Sequence, residues 1–208
     1  MPHTEIAARA DLAERLSLLA KAPRGLVGQL AREDDISIAG PLLRRSPAID
    51  EGALIEIARI KGQGHLLAMS ERPTLSSDLT DVIVRRGDRE VVRRAAGNAG
   101  ALFSQTGYST LIERAGQDGV LTLTVGQRDD LSGEQLKRLL AGSIDIIRRR
   151  LFEVVKPARQ AEIKQAMSDI SGVVEPVESR RDFAPAQRAI IALPVSYTHL
   201  TLPTIYSV

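Results

Sequence analysis

Three kinds of residue in this chain have types and spacings that could do chemistry: a glycine-flanked lysine and histidine, two acidic pairs, and recurring arginine pairs. Lys61-Gly62-Gln63-Gly64-His65 brings a cation close to flexible backbone N–H groups, as a phosphate-wrapping loop does. Such a loop needs its Lys and Ser/Thr after the second Gly, at a strand-to-helix junction. Here Lys61 precedes both glycines and helical patterns flank the stretch, so it reads as a turn between helices. His65 is the only His in the body of the chain, with His3 and His199 near its two ends, so no pair stands at metal-ligand spacing. A surface or capping role suits His65 better than catalysis. Asp34-Asp35 and Asp129-Asp130 could share a proton or hold a cation. Each pair precedes an apolar helical pattern, and capping of the orphan N–H groups there explains both without special chemistry. No Cys and no Gly-x-Ser-x-Gly elbow supplies a nucleophile. The expectation is no catalytic residue, no cofactor and no metal. An enzyme reading survives only if a further C-terminal part carries a site.

The arginines are the remaining candidates. Arg44-Arg45, Arg85-Arg86, Arg93-Arg94 and Arg148-Arg149-Arg150 recur along the chain, and stacking of repeated units could bring some of them into a stripe. The simplest reading is a solvated surface, with cations in last turns offsetting the negative helix end. The functional reading is an anion-binding groove for an acidic partner protein or for nucleic acid. Arg44, Arg45, Arg85, Arg86, Arg93, Arg94, Arg148, Arg149 and Arg150 are therefore the candidate anion- or partner-binding residues.

The elements that must position these residues are written in the apolar pattern. The 208 residues suffice to bury a real core, built from Leu, Ile, Val and Ala, with 3 Phe, 3 Tyr and no Trp. Small aliphatic side chains suit closely stacked helices. So few aromatics speak against carbohydrate surfaces and base-stacking platforms. With no Cys, a disulfide framework and a thiolate metal site are excluded. The net charge of +2 rests on 28 basic against 26 acidic residues, a balanced surface rather than a nucleic-acid footprint. No apolar run approaches the ~18–20 residues of a membrane helix, and the first residues lack a hydrophobic signal core. A cytoplasmic protein without membrane association is expected.

Residues 36–87 read as two copies of one unit: a short apolar helix, a corner, and a second apolar helix. Ile36, Ile38, Leu42 and Leu43 lead to a corner at Ser46-Pro47 and then to Leu54, Ile57 and Ala58. Leu66, Leu67 and Met69 lead to Arg72-Pro73 and then to Leu79, Ile83 and Val84. Asp35, Asp50, Ser76 or Ser77, and Asp88 stand where helix N-caps belong, and Gly87 follows Arg85-Arg86 as a C-terminal stop. A less regular copy precedes these, on Leu12, Leu16 and Leu19 and then Leu26, Val27 and Leu30. A fourth follows, with Val91, Val92 and Ala95, a corner at Gly97-Asn98-Ala99-Gly100, and then Tyr108, Leu111 and Ile112. Residues 120–125 are β-branched and alone would suggest a strand. Their place before the corner at Arg128-Asp129-Asp130 and the capping box Ser132-Gly133-Glu134-Gln135 predicts a helix opening a fifth copy. Ile49, Leu75, Leu102 and Leu131, each just after a corner, recur at steps of 26, 27 and 29 residues. A steady period with weak identity marks stacked repeats, here shorter than the ~40 residues of HEAT or armadillo units. The five pairs are expected to share one continuous interior.

Beyond them, Leu136, Leu139, Leu140, Ile144, Ile147, Leu151 and Val155 predict one longer helix up to Pro157. Another follows on Ile163, Ala166, Met167 and Ile170, then a linker over residues 171–179 and a helical start at Asp182. Residues 195–208 hold no charge and two of the three Tyr, and resemble an in-frame translation of a sequencing adapter. A true apolar strand or partner-binding tail is the alternative. The expected organisation is a helical-repeat domain over residues 1–156, C-terminal helices and linker over 157–193, truncated there, and a non-native tail over 194–208.

Several stretches together resemble a bacterial family, domain of unknown function 2336 (DUF2336). They are Leu30-Ala31-Arg32-Glu33-Asp34-Asp35, Pro41-Leu42-Leu43-Arg44-Arg45-Ser46-Pro47, His65-Leu66-Leu67-Ala68, Arg72-Pro73-Thr74-Leu75-Ser76, Gly87-Asp88, Asn98-Ala99-Gly100-Ala101 and Arg128-Asp129-Asp130-Leu131. The resemblance spans residues 7–193. It implies an all-α, HEAT- or armadillo-like fold in a cytoplasmic bacterial protein, and no reaction. Met69-Ser70-Glu71 departs from the more usual Ala-Ile-Ala-like stretch, which bears on local packing.

The combined expectation is an all-α chain of short two-helix repeats stacked as a right-handed solenoid. Its expected role is a non-enzymatic scaffold for a protein partner in a regulatory setting, with nucleic acid as the alternative partner.

Overall fold

Twelve helices make up the regular structure of residues 2–173, the part described by the computed structural model. They are Pro2–Ser17 (α1), Arg24–Leu30 (α2), Ile36–Arg45 (α3), Glu51–Ile60 (α4), Gln63–Ser70 (α5) and Ser77–Arg86 (α6). Then come Arg89–Gly97 (α7), Gln105–Ala115 (α8), Gly119–Gly126 (α9), Gly133–Ala141 (α10), Asp145–Val154 (α11) and Pro157–Val173 (α12). Among the described residues there is no strand, only an isolated parallel bridge between Leu75 and Ala101 that ties two corners together. The remainder of the expected linker, the helical start at Asp182, the tail and His199 lie outside the described residues.

Seven of the short helices, α3, α4 and α6 to α10, start on a side chain that satisfies orphan N–H groups. Asp50, Ser76, Ser104 and Ser132 cap α4, α6, α8 and α10, each accepting from the N–H three residues on, at 2.8, 3.3, 2.9 and 3.3 Å. Asp88 does the same for α7, and Asp35 caps α3 through the N–H of Ser37, two residues on. The capping box is complete, since Gln135 Oε1 accepts from the Ser132 N–H at 2.9 Å. Residues 120–125 are helical as expected. Asp118 caps α9 through the N–H groups of Val120 and Leu121, and the Thr122 hydroxyl donates to the carbonyls of Ala115 and Asp118.

The helices pack in two rows. Odd-numbered helices touch the next odd one, α1 on α3 through α9 on α11, and even-numbered ones do likewise from α4 to α10. Between successive pairs, α4–α5, α6–α7 and α8–α9 also touch. The repeat period thus becomes a row register, in which each side chain meets its neighbour about one unit back. Burial of the aliphatic faces supplies the drive, at about 1.5–3 kcal/mol for each fully buried Leu or Ile. The interior is two clusters rather than one. Ile83, Val91 and Ala95 belong to the first, while Val84, Val92 and Ala96 belong to the second, so α6 and α7 feed both and Phe103 packs against each. Met69 is fully buried in the first cluster, so the local packing takes this residue without a gap.

One expectation needs correcting. The predicted helix over residues 136–155 is two helices, α10 and α11, broken at Gly142-Ser143. The apolar spacing runs on across the break, but Ile144 is 65% exposed, and Arg148 turns back to donate to the Leu140 carbonyl at 2.8 Å. The split gives α11 and α12 as a sixth pair, with Ile163 and Ala166 of α12 buried among Leu139 and Leu140. Gly87 is the C-cap of α6 after Arg85 and Arg86, as expected, with extended backbone at φ −63° and ψ 146°. A Cβ there would stand 2.6 Å from both the Ile83 carbonyl oxygen and Val91 Cγ1, so close packing between α6 and α7 requires the glycine.

Candidate functional site

An open groove of about 1080 Å³ runs across the odd-numbered row. Arg44 comes from the last turn of α3. Glu71, Arg72 and Pro73 come from the end of α5, Arg89, Glu90, Arg93 and Arg94 from α7, and Val120 and Thr124 from α9. Five arginines face two glutamates, and no aromatic ring lines the groove.

Most of these charges already have partners. Glu71 accepts from Arg44 Nε at 2.6 Å and lies 3.6 Å from Arg94 Nε. Arg93 donates to both oxygens of Asp118, from Nε at 2.8 Å and Nη2 at 2.6 Å, and Arg89 stands 3.7 Å from the same carboxylate. The Arg93 hydrogen bond holds the Asp118 carboxyl below the usual carboxylate range, against the opposing effect of burial, and Asp118 in turn pushes the Arg93 guanidinium up. Arg72 donates to the carbonyls of Leu43 at 2.8 Å and Ser46 at 3.0 Å, and burial pulls its guanidinium down from the ordinary value. Arg89 and Arg94, 70% and 56% exposed, keep the most donors free for a ligand.

Three of the nine candidate arginines therefore meet in one groove: Arg44, Arg93 and Arg94. The other six lie elsewhere. Arg45 pairs with Glu14 and donates to the Ser17 hydroxyl at 2.9 Å, tying α3 to α1. Arg86 donates to the carbonyls of Ala58 and Lys61 at the end of α4. Arg148 closes the end of α10 and pairs with Asp145, and Arg150 pairs with Glu153. Arg85 and Arg149 are exposed and make no hydrogen bond or ion pair with a described residue.

A pattern unseen in the sequence explains these fates. After α5, α7, α9 and α11 a side chain reaches back one unit and donates to carbonyls at the end of the preceding helix in the row or its corner. Arg72 serves α3, Asn98 serves α5 through Ser70 and Arg72, and Arg128 serves α7 through Ala96, Asn98 and Ala101. Arg159 serves the corner after α9 through Arg128 and Leu131. In the even row Arg86 serves α4, and Arg114 donates to Val84 near the end of α6 at 2.6 Å. Cations on terminal carbonyls offset the negative helix end, and the fork of a guanidinium spans two carbonyls at once.

The other candidates resolve as structure. Lys61-Gly62-Gln63-Gly64 is a helix-to-helix turn as expected, and Gln63 bridges to the α6–α7 corner through the Arg86 carbonyl and the Asp88 N–H. His65 is not a surface residue. It is buried, and its Nε2–H donates to the Glu33 carbonyl at 2.8 Å, fixing the α2–α3 corner. Asp35 caps α3 while Asp34 pairs with Lys61. Asp129 and Asp130 cap nothing; they pair with Lys156 and Arg128, and Ser132 caps α10 instead. Among the described residues no three of His, Asp or Glu converge where a metal ion could be held, and no helix is long and apolar enough to cross a membrane. Arg89, Glu71 and Val120 were missed as groove residues. The one available signal was Arg89 standing four residues before Arg93, on the same helix face.

No curated protein and no solved structure matches the chain. A family model described as "Uncharacterised protein conserved in bacteria (DUF2336)" matches residues 38–199, from within α3 onward. That span covers most of the chain and all of the groove, and the chain belongs to the DUF2336 family.

Proposed function

We propose that this chain is a non-enzymatic scaffold that holds a protein partner, in a regulatory setting in the bacterial cytoplasm. Its two-helix units are of the HEAT or armadillo kind, stacked as a right-handed solenoid, and the odd-numbered row carries the binding face. The observation that carries this reading is the groove across α3, α5, α7 and α9, where Arg89 and Arg94 keep exposed donors beside the apolar Val120. Rows of stacked helices present such faces to extended partners without any catalytic constellation.

A photo-crosslinking residue placed at Val120 tests the reading in cells of a source bacterium. A discrete protein adduct is expected, and it should disappear in the Arg89→Glu/Arg94→Glu double variant. Adducts that persist unchanged in that variant would remove the groove as the binding face.

Nucleic acid is the second reading, favoured by the excess of arginine over glutamate in the groove. Its affinity would fall steeply with log[salt], by a slope of about −0.7 to −0.9 for each phosphate contacted. The absence of a stacking ring in the groove weighs against it.

A further inference from the structure

Glu71 is in an unfavourable place. It is the C-cap of α5, where the helix presents its negative end, and a carboxylate there opposes the local field. Two arginines from neighbouring helices compensate, Arg44 from α3 and Arg94 from α7. Such a conflict between local preference and global arrangement is characteristic of functional positions. The Glu71 side chain is about a quarter exposed and lies in the groove itself, so it can swing to solvent without opening the core.

We propose that the groove takes an extended acidic peptide segment of a partner protein, and that Glu71 is the built-in anion that this segment displaces from Arg44 and Arg94. The proposal rests on the partner-binding reading above and specifies the partner's chemistry. An incoming carboxylate keeps both guanidiniums paired, so the exchange costs little desolvation. Arg89 and Arg94 add donors that Glu71 and Asp118 leave unused. Val120 of α9, 53% exposed, ends the basic stretch on an apolar contact. Adjacent packed helices lie about 10 Å apart, so crossing from α5 through α7 to α9 takes about six residues of extended chain. The segment is therefore short, acidic along most of its length, and apolar where it meets Val120. Single-stranded nucleic acid fits less well, since Glu71 and Glu90 face the groove and no ring is available to stack on a base.

Fluorescein-labelled hexaglutamate and a labelled twelve-residue oligothymidylate are the probes, read by anisotropy at low salt against the full chain. Hexaglutamate should bind, about three- to fivefold tighter to Glu71→Gln, as loss of one partly exposed competing ion pair allows. It should bind more weakly to Arg94→Glu. Glu71→Ala repeats the test should the glutamine hold the arginines by hydrogen bonds, with helical circular dichroism confirming the fold of each variant. Equal affinity across all variants, or no binding, overturns the displacement. Tighter binding of oligothymidylate with the same response to the variants overturns the peptide in favour of nucleic acid. The photo-crosslink at Val120 is independent of these probes, so a groove-bound protein found there keeps the scaffold reading even if the acidic segment fails.

Discussion

Arg93 grips Asp118 with two hydrogen bonds, Nε at 2.8 Å and Nη2 at 2.6 Å, and so joins the middle of α7 to the first turn of α9. The same carboxylate caps α9, so one side chain fixes both the helix start and the wall of the groove. Its pKa is held below that of an unfolded Asp, ~3.9, which sets the sign of the linkage. The stability it contributes is fully present above about pH 5 and is lost as pH falls through the lower, folded value. Asp118→Asn keeps a capping oxygen but loses the ion pair, and should cost about 1–2 kcal/mol at neutral pH. Urea titrations between neutral pH and about pH 3 should show the gap between variant and parent closing in acid.

Arg128 is predicted to be the costliest arginine to remove. It donates to three carbonyls, to the Tyr108 hydroxyl and to Asp130, and its guanidinium carbon lies 4.7 Å from the centre of the Phe103 ring. Arg128→Ala should destabilise by about 3–5 kcal/mol, and Arg128→Lys should recover little, because an ammonium cannot span the same fork. Arg85→Ala and Arg149→Ala, with no partner to lose, should stay within about 0.5 kcal/mol in the same melts.

Tyr108 should titrate late. Burial pushes its phenol up to about 12, with a smaller contribution from Asp130 opposed by Arg128. The unfolded phenol ionises near 10, so stability is full below that and falls as pH rises through about 12. The difference in phenolate absorbance between the parent and Tyr108→Phe isolates this group. An ordinary midpoint near 10 in the folded protein would contradict the burial seen here.

Glycines separate into those that packing requires and those it tolerates. A Cβ at Gly100 would run into the Pro73 carbonyl, where the two corners meet beside the Leu75–Ala101 bridge. Gly100→Ala should cost about 1–3 kcal/mol. Nothing stands within 4 Å of a Cβ at Gly133 in the first turn of α10, and Gly133→Ala should stabilise by about 0.4–1 kcal/mol. Thermal melts of the two variants should move in opposite directions.

Much of the architecture was legible because it is local. Asp35, Asp50, Ser76, Asp88 and the Ser132–Gln135 box announce helix starts through their own side-chain chemistry, and the corners keep their period. The helix at 120–125 was legible from its place in the repeat, although its β-branched residues pointed the other way. The break between α10 and α11 was hidden because Leu140, Ile144 and Ile147 keep helical spacing across it. α10 ends at its C-cap Gly142, and Arg148 of α11 folds back onto the Leu140 carbonyl. The arginine roles were least visible. Arg85 and Arg86 are adjacent, yet about 100° apart around the helix, so one meets the end of α4 and the other meets water. Which of two neighbours becomes a tie depends on a helix some 25 residues away, a distance that no local pattern spans.

The backward reach of Arg72, Asn98, Arg128 and Arg159 gives the array a direction. The ends of α3, α5 and α7 and the corner after α9 are closed by the unit that follows, so a chain emerging N-terminus first seals them as the next corner is made. Deleting a leading unit leaves the next unit's donor side chain to turn to water, whereas cutting after any later one leaves a set of fixed, bare carbonyls at the new edge. Shortening from the two sides should therefore be unequal, with loss from the trailing side the more damaging.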